Sequence, residues 1–241
     1  MELKNAVALV TGASRGIGRA VALALAEEGA VVVCAGRTLE GPVERGSLLE
    51  TVKEIELKGG SALAMKCDVT DSVQVEALVA QTVEMYGHID SVVNNAGFYP
   101  RAKIAEMDPE LWQATMGINL TGAFLVTRYV LPEMIQRGEG GSILNISSGS
   151  ATRYDRQHIA YSASKAGLDR LTINLAEEVR EHGIAVNALT PGLVKTEMND
   201  FYSEGDPPES VTPSVIWLLR QNPTDFTGRI VARSEFDRGW P

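Results

Sequence analysis

Tyr161 and Lys165, in the run Ala160-Tyr-Ser-Ala-Ser-Lys165, stand four residues apart. On a helix that spacing stacks a proton-carrying phenol beside a cationic amine. A free phenol titrates near ~10, and a neighbouring ammonium favours the phenolate. The pair is therefore expected to act as a poised acid and base, with the phenol's titration moved toward neutral pH. The same spacing also arises from a ring at a core edge beside a solvated amine, so the rest of the chain must supply the context.

The N-terminal stretch does so first. Ala6-Val-Ala-Leu-Val10 is a short apolar run, followed by Thr11-Gly-Ala-Ser-Arg-Gly-Ile-Gly18 and a helical pattern from Arg19 to Glu28. Strand, glycine turn and helix in that order make a nucleotide site: the glycines let the backbone turn sharply beside a pyrophosphate, and the new helix points free N–H groups at it. The spacing of Gly12, Gly16 and Gly18 is G-x-x-x-G-x-G rather than the commoner G-x-G-x-x-G.

Farther on, apolar runs near residues 7–10, 31–35, 62–65, 91–93, 142–146, 185–189 and 229–231 alternate with helical patterns. The alternation predicts an α/β fold, a doubly wound parallel sheet of about seven strands with helices on both faces. Ligands in such sheets bind at the carboxyl ends of the strands. There lie the glycine loop, Arg37, Asp68, Asn94-Asn-Ala-Gly97, Ser148 and the stretch from Pro191 to Thr196, one after each of the first six strands. Asp108-Pro109 reads as a cap and first turn opening a long helix toward Arg137, and Gly183 as the stop of the helix carrying Tyr161. Trp112, Met116, Phe124 and Leu131 on the first of these read as core or subunit contacts.

With 241 residues, 44% of them hydrophobic, and no linker or repeat, the chain reads as one domain over residues 1–241. A net charge of −9 without a basic tract excludes a nucleic-acid partner. No apolar stretch reaches the ~18 residues of a membrane span, and Met1-Glu-Leu-Lys-Asn5 leads straight into the first strand, so a cytoplasmic protein is expected. Cys34 and Cys67 fall in or beside strands as buried thiols. His88, His158 and His182 lack ligand spacing, so no metal is expected, although His158 lies close enough to Tyr161 to border its pocket.

Together, the glycine loop, Asn94-Asn-Ala-Gly97, Ser147-Ser148, Tyr161-x-x-x-Lys165 and Pro191-Gly192 resemble the short-chain dehydrogenases/reductases, in the single-domain branch of 3-oxoacyl-carrier-protein reductases and their relatives. The likeness runs nearly end to end, and Ser148 precedes Tyr161 by the family's usual thirteen residues. It implies a Rossmann-type fold and hydride transfer between nicotinamide and a carbonyl or secondary alcohol. Tyr161 would protonate the carbonyl oxygen, Ser148 would hydrogen-bond the same oxygen, Lys165 would hold the nicotinamide ribose, and Asn119 would carry a water-linked proton relay. Ser147 should point the other way along the strand. For the cofactor it implies contacts from Gly12, Ser14, Arg15, Gly16, Ile17, Gly18, Asp68, Val69, Asn95, Ala96, Gly97, Tyr161, Lys165, Pro191, Gly192, Val194 and Thr196. For Asp68 a turn acid is an equal alternative.

Where NAD-preferring folds carry a carboxylate after the second strand, this chain has Cys34-Ala-Gly-Arg-Thr38. Arg37, seconded by Arg15, can pair with a 2′-phosphate, so NADP(H) is expected over NAD(H). The partner is a small-molecule carbonyl or alcohol, and the family's pairing of long helices implies a homo-oligomer, a tetramer or failing that a dimer. An idle dinucleotide-binding sensor or scaffold is the rival reading, and an intact Asn119, Ser148, Tyr161 and Lys165 set argues against it. An epimerase of related fold would need more than the fifty or so residues after Pro191. The chain departs from the family in a longer Thr38 to Gly46 stretch, in the absence of the usual Asp-Gly-Gly ending, and in a shorter substrate lid, residues 197–208. Phe201 and Tyr202 would act in that lid, with Tyr99, Tyr154, His158 and Leu193 around the rim.

Overall fold

The computed structural model describes residues 2–41, 46–198 and 204–238. Its strands and helices alternate: β1 (Val7–Thr11), α1 (Gly16–Glu27), β2 (Val31–Gly36), α2 (Leu48–Leu57), β3 (Ser61–Lys66), α3 (Ser72–Tyr86), β4 (Ser91–Asn94), α4 (Pro109–Met116), α5 (Gly122–Arg137), β5 (Gly141–Ile146), α6 (Ile159–Val179), β6 (Ile184–Thr190), α7 (Thr212–Leu219) and β7 (Ile230–Ala232). The seven strands form one parallel sheet in the order β3-β2-β1-β4-β5-β6-β7. The order reverses between β1 and β4, which is where such sheets open a crevice for a nucleotide.

Both faces of the sheet are covered, so successive residues of one strand enter different cores. Ala8 and Val10 pack with Val21 and Leu25 of α1, Ile55 of α2 and Val215 and Leu218 of α7. Val7 and Leu9, facing the other way, pack with Leu78 of α3, Val126 and Val130 of α5 and Leu175 and Val179 of α6. Every residue of β1 and β4 is buried. That is why β1 reads as an apolar run, while β4 sets Val92 and Val93 between buried Ser91 and Asn94.

The long helix expected from Asp108 to Arg137 is present with two differences. Asp108 stands at the N-cap with extended backbone, and its carbonyl accepts from Leu111 and Trp112 N–H, but its side chain makes no capping bond. Between α4 and α5 the run passes through a π-turn, Gly117–Thr121, which contains Asn119. Gly183, in the left-handed conformation at φ 73°, ends the short 3₁₀ turn that follows α6. Cys34 and Cys67 are buried and unbridged. Burial pushes their thiols up to about 12 and about 11, with Asp68 and Asp71 adding to the effect on Cys67. Among the described residues no helix is long and apolar enough to cross a membrane, and no His, Cys, Asp and Glu group could hold a metal.

Candidate active site

The glycine turn after β1 is built by three glycines with different tasks. Gly12 (φ 66°) and Gly16 (φ 55°) take the left-handed backbone that side chains disfavour. Gly18 needs its missing Cβ for space: one placed there would stand 2.3 Å from the Gly12 carbonyl oxygen. Asn95 locks the turn. Its Nδ2 donates to the carbonyls of Thr11 (2.9 Å) and Gly12 (3.3 Å), while Thr11 Oγ1 accepts from the N–H groups of Asn95 and Ala96, 3.0 Å each. Arg15 precedes α1 without a side-chain capping bond, so the helix opens toward the cleft with its own N–H groups.

That cleft, about 440 Å³, is bordered by Gly12, Ser14, Arg15, Gly16, Ile17, Arg37, Asp68, Val69, Asn95, Ala96, Gly97 and Thr196. Of the other expected contact residues, Gly18 closes the turn from behind. Val194 is buried and pairs with Asp206, and the Pro191 carbonyl accepts from Arg233 Nε (2.7 Å) beside Gly192, so these residues fix the loop after β6. Arg37 is exposed, and its guanidinium makes no hydrogen bond or ion pair with the described residues. No carboxylate shares its position after β2, and a Cβ on Gly36 would meet nothing nearer than Leu48 at 3.5 Å. These residues fit a nicotinamide dinucleotide. Asp68 accepts from Thr70 N–H (3.0 Å) and Oγ1 (2.8 Å), so it shapes the turn into α3 while also lining the cleft.

Ser148, Tyr161 and Lys165 meet at the same sheet edge. Ser148 leaves β5 and accepts from Ser150 N–H (3.2 Å), and its hydroxyl is near enough to Tyr161, on the first turn of α6, to act on that tyrosine's titration. Lys165, one turn later and only 4% exposed, donates from Nζ to the Ile146 carbonyl (2.7 Å) and lies 5.7 Å from the centre of the Tyr161 ring. The expected fall of the tyrosine's titration is not seen. Desolvation pushes it up to about 12, against the Ser148 hydroxyl that lowers it, and the Asp155 charge adds to the rise. Burial likewise brings Lys165 down to about 8, with Asp169 opposing the shift. The ammonium is spent on a carbonyl and stands behind the ring, so burial dominates both groups.

Asn119 is buried in its π-turn, an irregularity that recurs at functional sites. Its Oδ1 accepts from Phe98 N–H (2.7 Å), and its Nδ2 donates to the Phe98 carbonyl (2.9 Å) and Ser164 Oγ (3.0 Å). Ser147 points away from Ser148 and donates to Asp169 Oδ1 (2.5 Å). Sequence reasoning passed over Asp169. The signal was a carboxylate four residues beyond Lys165 on the same helix face. Of the expected rim, His158 is buried and stacked on Tyr99, with Nδ1 2.9 Å from the Pro100 carbonyl, while Tyr154 and Leu193 are exposed. Phe201 and Tyr202 lie outside the described residues, as does part of the long Thr38 to Gly46 stretch.

The family profile for short chain dehydrogenases matches residues 6–207. This chain belongs to the short-chain dehydrogenases/reductases. A short-chain dehydrogenase/reductase of Aspergillus oryzae is 38% identical to it, over 95% of this chain and 94% of that one. A 3-oxoacyl-[acyl-carrier-protein] reductase of Thermotoga maritima is 34% identical, over 96% of this chain and 97% of the relative. Among solved structures, a variant of actinorhodin polyketide ketoreductase with NADPH superposes with a TM-score of 0.86 at 34% identity, covering 95% of each chain. As a short-chain dehydrogenase/reductase, the protein is an oxidoreductase of the nicotinamide-dependent kind.

Proposed function

We propose that the protein is an NADP(H)-dependent oxidoreductase acting on a carbonyl or secondary alcohol, and that residues 1–241 work as one cofactor-binding domain. The observation that carries this reading is the convergence of Ser148, Tyr161 and Lys165 at the edge where the glycine cleft opens. When bound in the cleft, the nicotinamide supplies or takes up the hydride. Tyr161 gives its proton to the carbonyl oxygen as charge develops there, and its high titration keeps it in the proton-bearing form at neutral pH. Ser148 hydrogen-bonds the same oxygen. Lys165 holds the cofactor ribose, and Asn119, braced on Phe98 and Ser164, supports proton return to the tyrosine.

Preference for NADP(H) is supported by the unpartnered Arg37, by the missing carboxylate after β2, and by the relative solved with NADPH. Trp112, Phe124 and Ile173, 37%, 47% and 39% exposed on α4, α5 and α6, support helix pairing between copies in a tetramer. Two unbridged cysteines support a reducing, cytoplasmic setting. The deciding experiment is Tyr161→Phe, assayed with a carbonyl panel at the NADPH absorbance band. Turnover should fall about 10²–10⁴-fold with NADPH affinity retained. A variant that kept most of its turnover would refute the mechanism.

A further inference from the structure

The loops after β4 and β5 meet over Ser148 and Tyr161. Ala102 N–H donates to the Gln157 carbonyl (2.8 Å) and Arg101 Nε to Gln157 Oε1 (2.6 Å). Inside this seam Tyr99 stacks on His158, centroids 4.0 Å apart, and sets its ring edge against Tyr161 at 4.5 Å. The Tyr99 hydroxyl donates to Asp155 Oδ2 (3.0 Å), which also accepts from Ser150 Oγ (2.6 Å). Ser150 N–H in turn donates to Ser148 Oγ. One residue thus links Asp155 to each member of the reacting pair, and its charge is felt at the Tyr161 hydroxyl.

Asp155 is partly buried, yet its Oδ1 accepts no hydrogen bond from the described residues. That oxygen is open to water, and a substrate that displaces the water must bring a donor of its own, either an ammonium or a hydroxyl. Its neighbours choose between them. Arg153 and Arg156, which flank Asp155 in the chain, are exposed and have no ion pair among the described residues, so the added positive charge disfavours a cationic substrate.

We propose that the substrate is a polyol or hydroxylated carbonyl compound, with a second hydroxyl beside the reacting carbon donating to Asp155 Oδ1. The assignment rests on the oxidoreductase reading above. A plain apolar ketone offers this oxygen nothing and would leave it desolvated and unpaired, a penalty that sites built for a hydroxyl use to reject its analogues.

The test compares two substrates that differ by one hydroxyl, trans-1,2-cyclohexanediol and cyclohexanol, each oxidised with NADP⁺ by wild type and by Asp155→Asn. In the variant the two inbound bonds from Tyr99 and Ser150 hold the amide oxygen at the Oδ2 position, which puts NH₂ where Oδ1 stood. The shape stays and the acceptor goes. Wild type should favour the diol in kcat/KM by about ten-fold or more, and the variant should bring that ratio to about one. The ratio is the readout because loss of the charge also shifts Tyr161 for both substrates. Equal use of both substrates by wild type, preference for cyclohexanol, or a ratio unchanged in the variant would overturn the proposal and leave the oxidoreductase reading intact. Turnover of neither substrate by wild type that still binds NADPH would overturn this proposal and leave the oxidoreductase reading to the carbonyl panel. Should the variant not fold, the wild-type ratio alone decides.

Discussion

The two ends of the active cleft are built in different ways. On the cofactor side the backbone itself is the instrument: left-handed glycines, a helix start and an asparagine that ties one loop to the next. On the proposed substrate side the polar atoms belong to side chains, Tyr99, Ser150, Asp155 and His158, set by loops between elements. A pyrophosphate can be met by fixed backbone donors, whereas a substrate is met by side chains, which can differ from one chain to the next. Affinity for the dinucleotide should therefore depend on one end, and turnover on the other.

The largest effects should cross cleanly. Tyr161→Phe belongs to the turnover side, so a matching loss of NADPH affinity, read by fluorescence titration, would break the division. Arg37→Asp belongs to the affinity side. It removes a phosphate partner and adds repulsion, and should weaken NADPH about ten- to hundred-fold while sparing NADH. If binding of both cofactors were unaltered, Arg37 would have no part in choosing between them.

Lys165→Met sharpens the contrast through stability. Because burial lowers this lysine from 10.5 to about 8, its charge is a cost to the folded state that is complete below pH 8 and gone above 10.5. At roughly 1.4 kcal/mol per pH unit the cost is at most about 3 kcal/mol, part of it offset by the lost bond to Ile146. The inactive variant should melt roughly 2–6 °C higher at pH 7, with the gap closing as pH rises from 8 toward 10.5. A melting point below wild type at pH 7 would show that the charge is well compensated.

Asp169→Asn should have the smallest effect. Asp169 opposes the fall of Lys165, so without it the lysine loses its proton at lower pH and the alkaline limb of the kcat/KM profile moves toward neutral. Asp169→Glu should restore it. A lower rate with an unmoved profile would reduce Asp169 to a packing role.

The sheet was legible because strands covered on both faces are short apolar runs with Gly or charged residues at their ends, and the expected ranges differ from the observed ones by a residue or two. The glycine loop, Ser148 and the Tyr161 pair were legible because their spacing is local. Asn119's π-turn was not, since a single i→i+5 turn leaves the apolar period of the helix almost unchanged. Asp108 does stand at the N-cap, but residue type does not tell whether the side chain turns back to the helix, as Asp71 does and Asp108 does not. Asp155 went unread because Tyr99, to which it is bonded, comes from another part of the chain, whereas Asp169 stood four residues from Lys165 on one helix and was passed over. The direction of the Tyr161 shift was misjudged because spacing reveals a nearby charge but not how much water burial removes.

Cys34, in the second strand, and Cys67, just past the third, have thiols too protonated and too enclosed to meet an alkylating reagent while the sheet is closed. The molecule therefore carries a stopwatch at one border of its sheet. The rate at which a maleimide labels these two sulfurs counts how often that border opens, and slowing of the count by NADPH would report how firmly the nucleotide clamps strands it touches only at their tips.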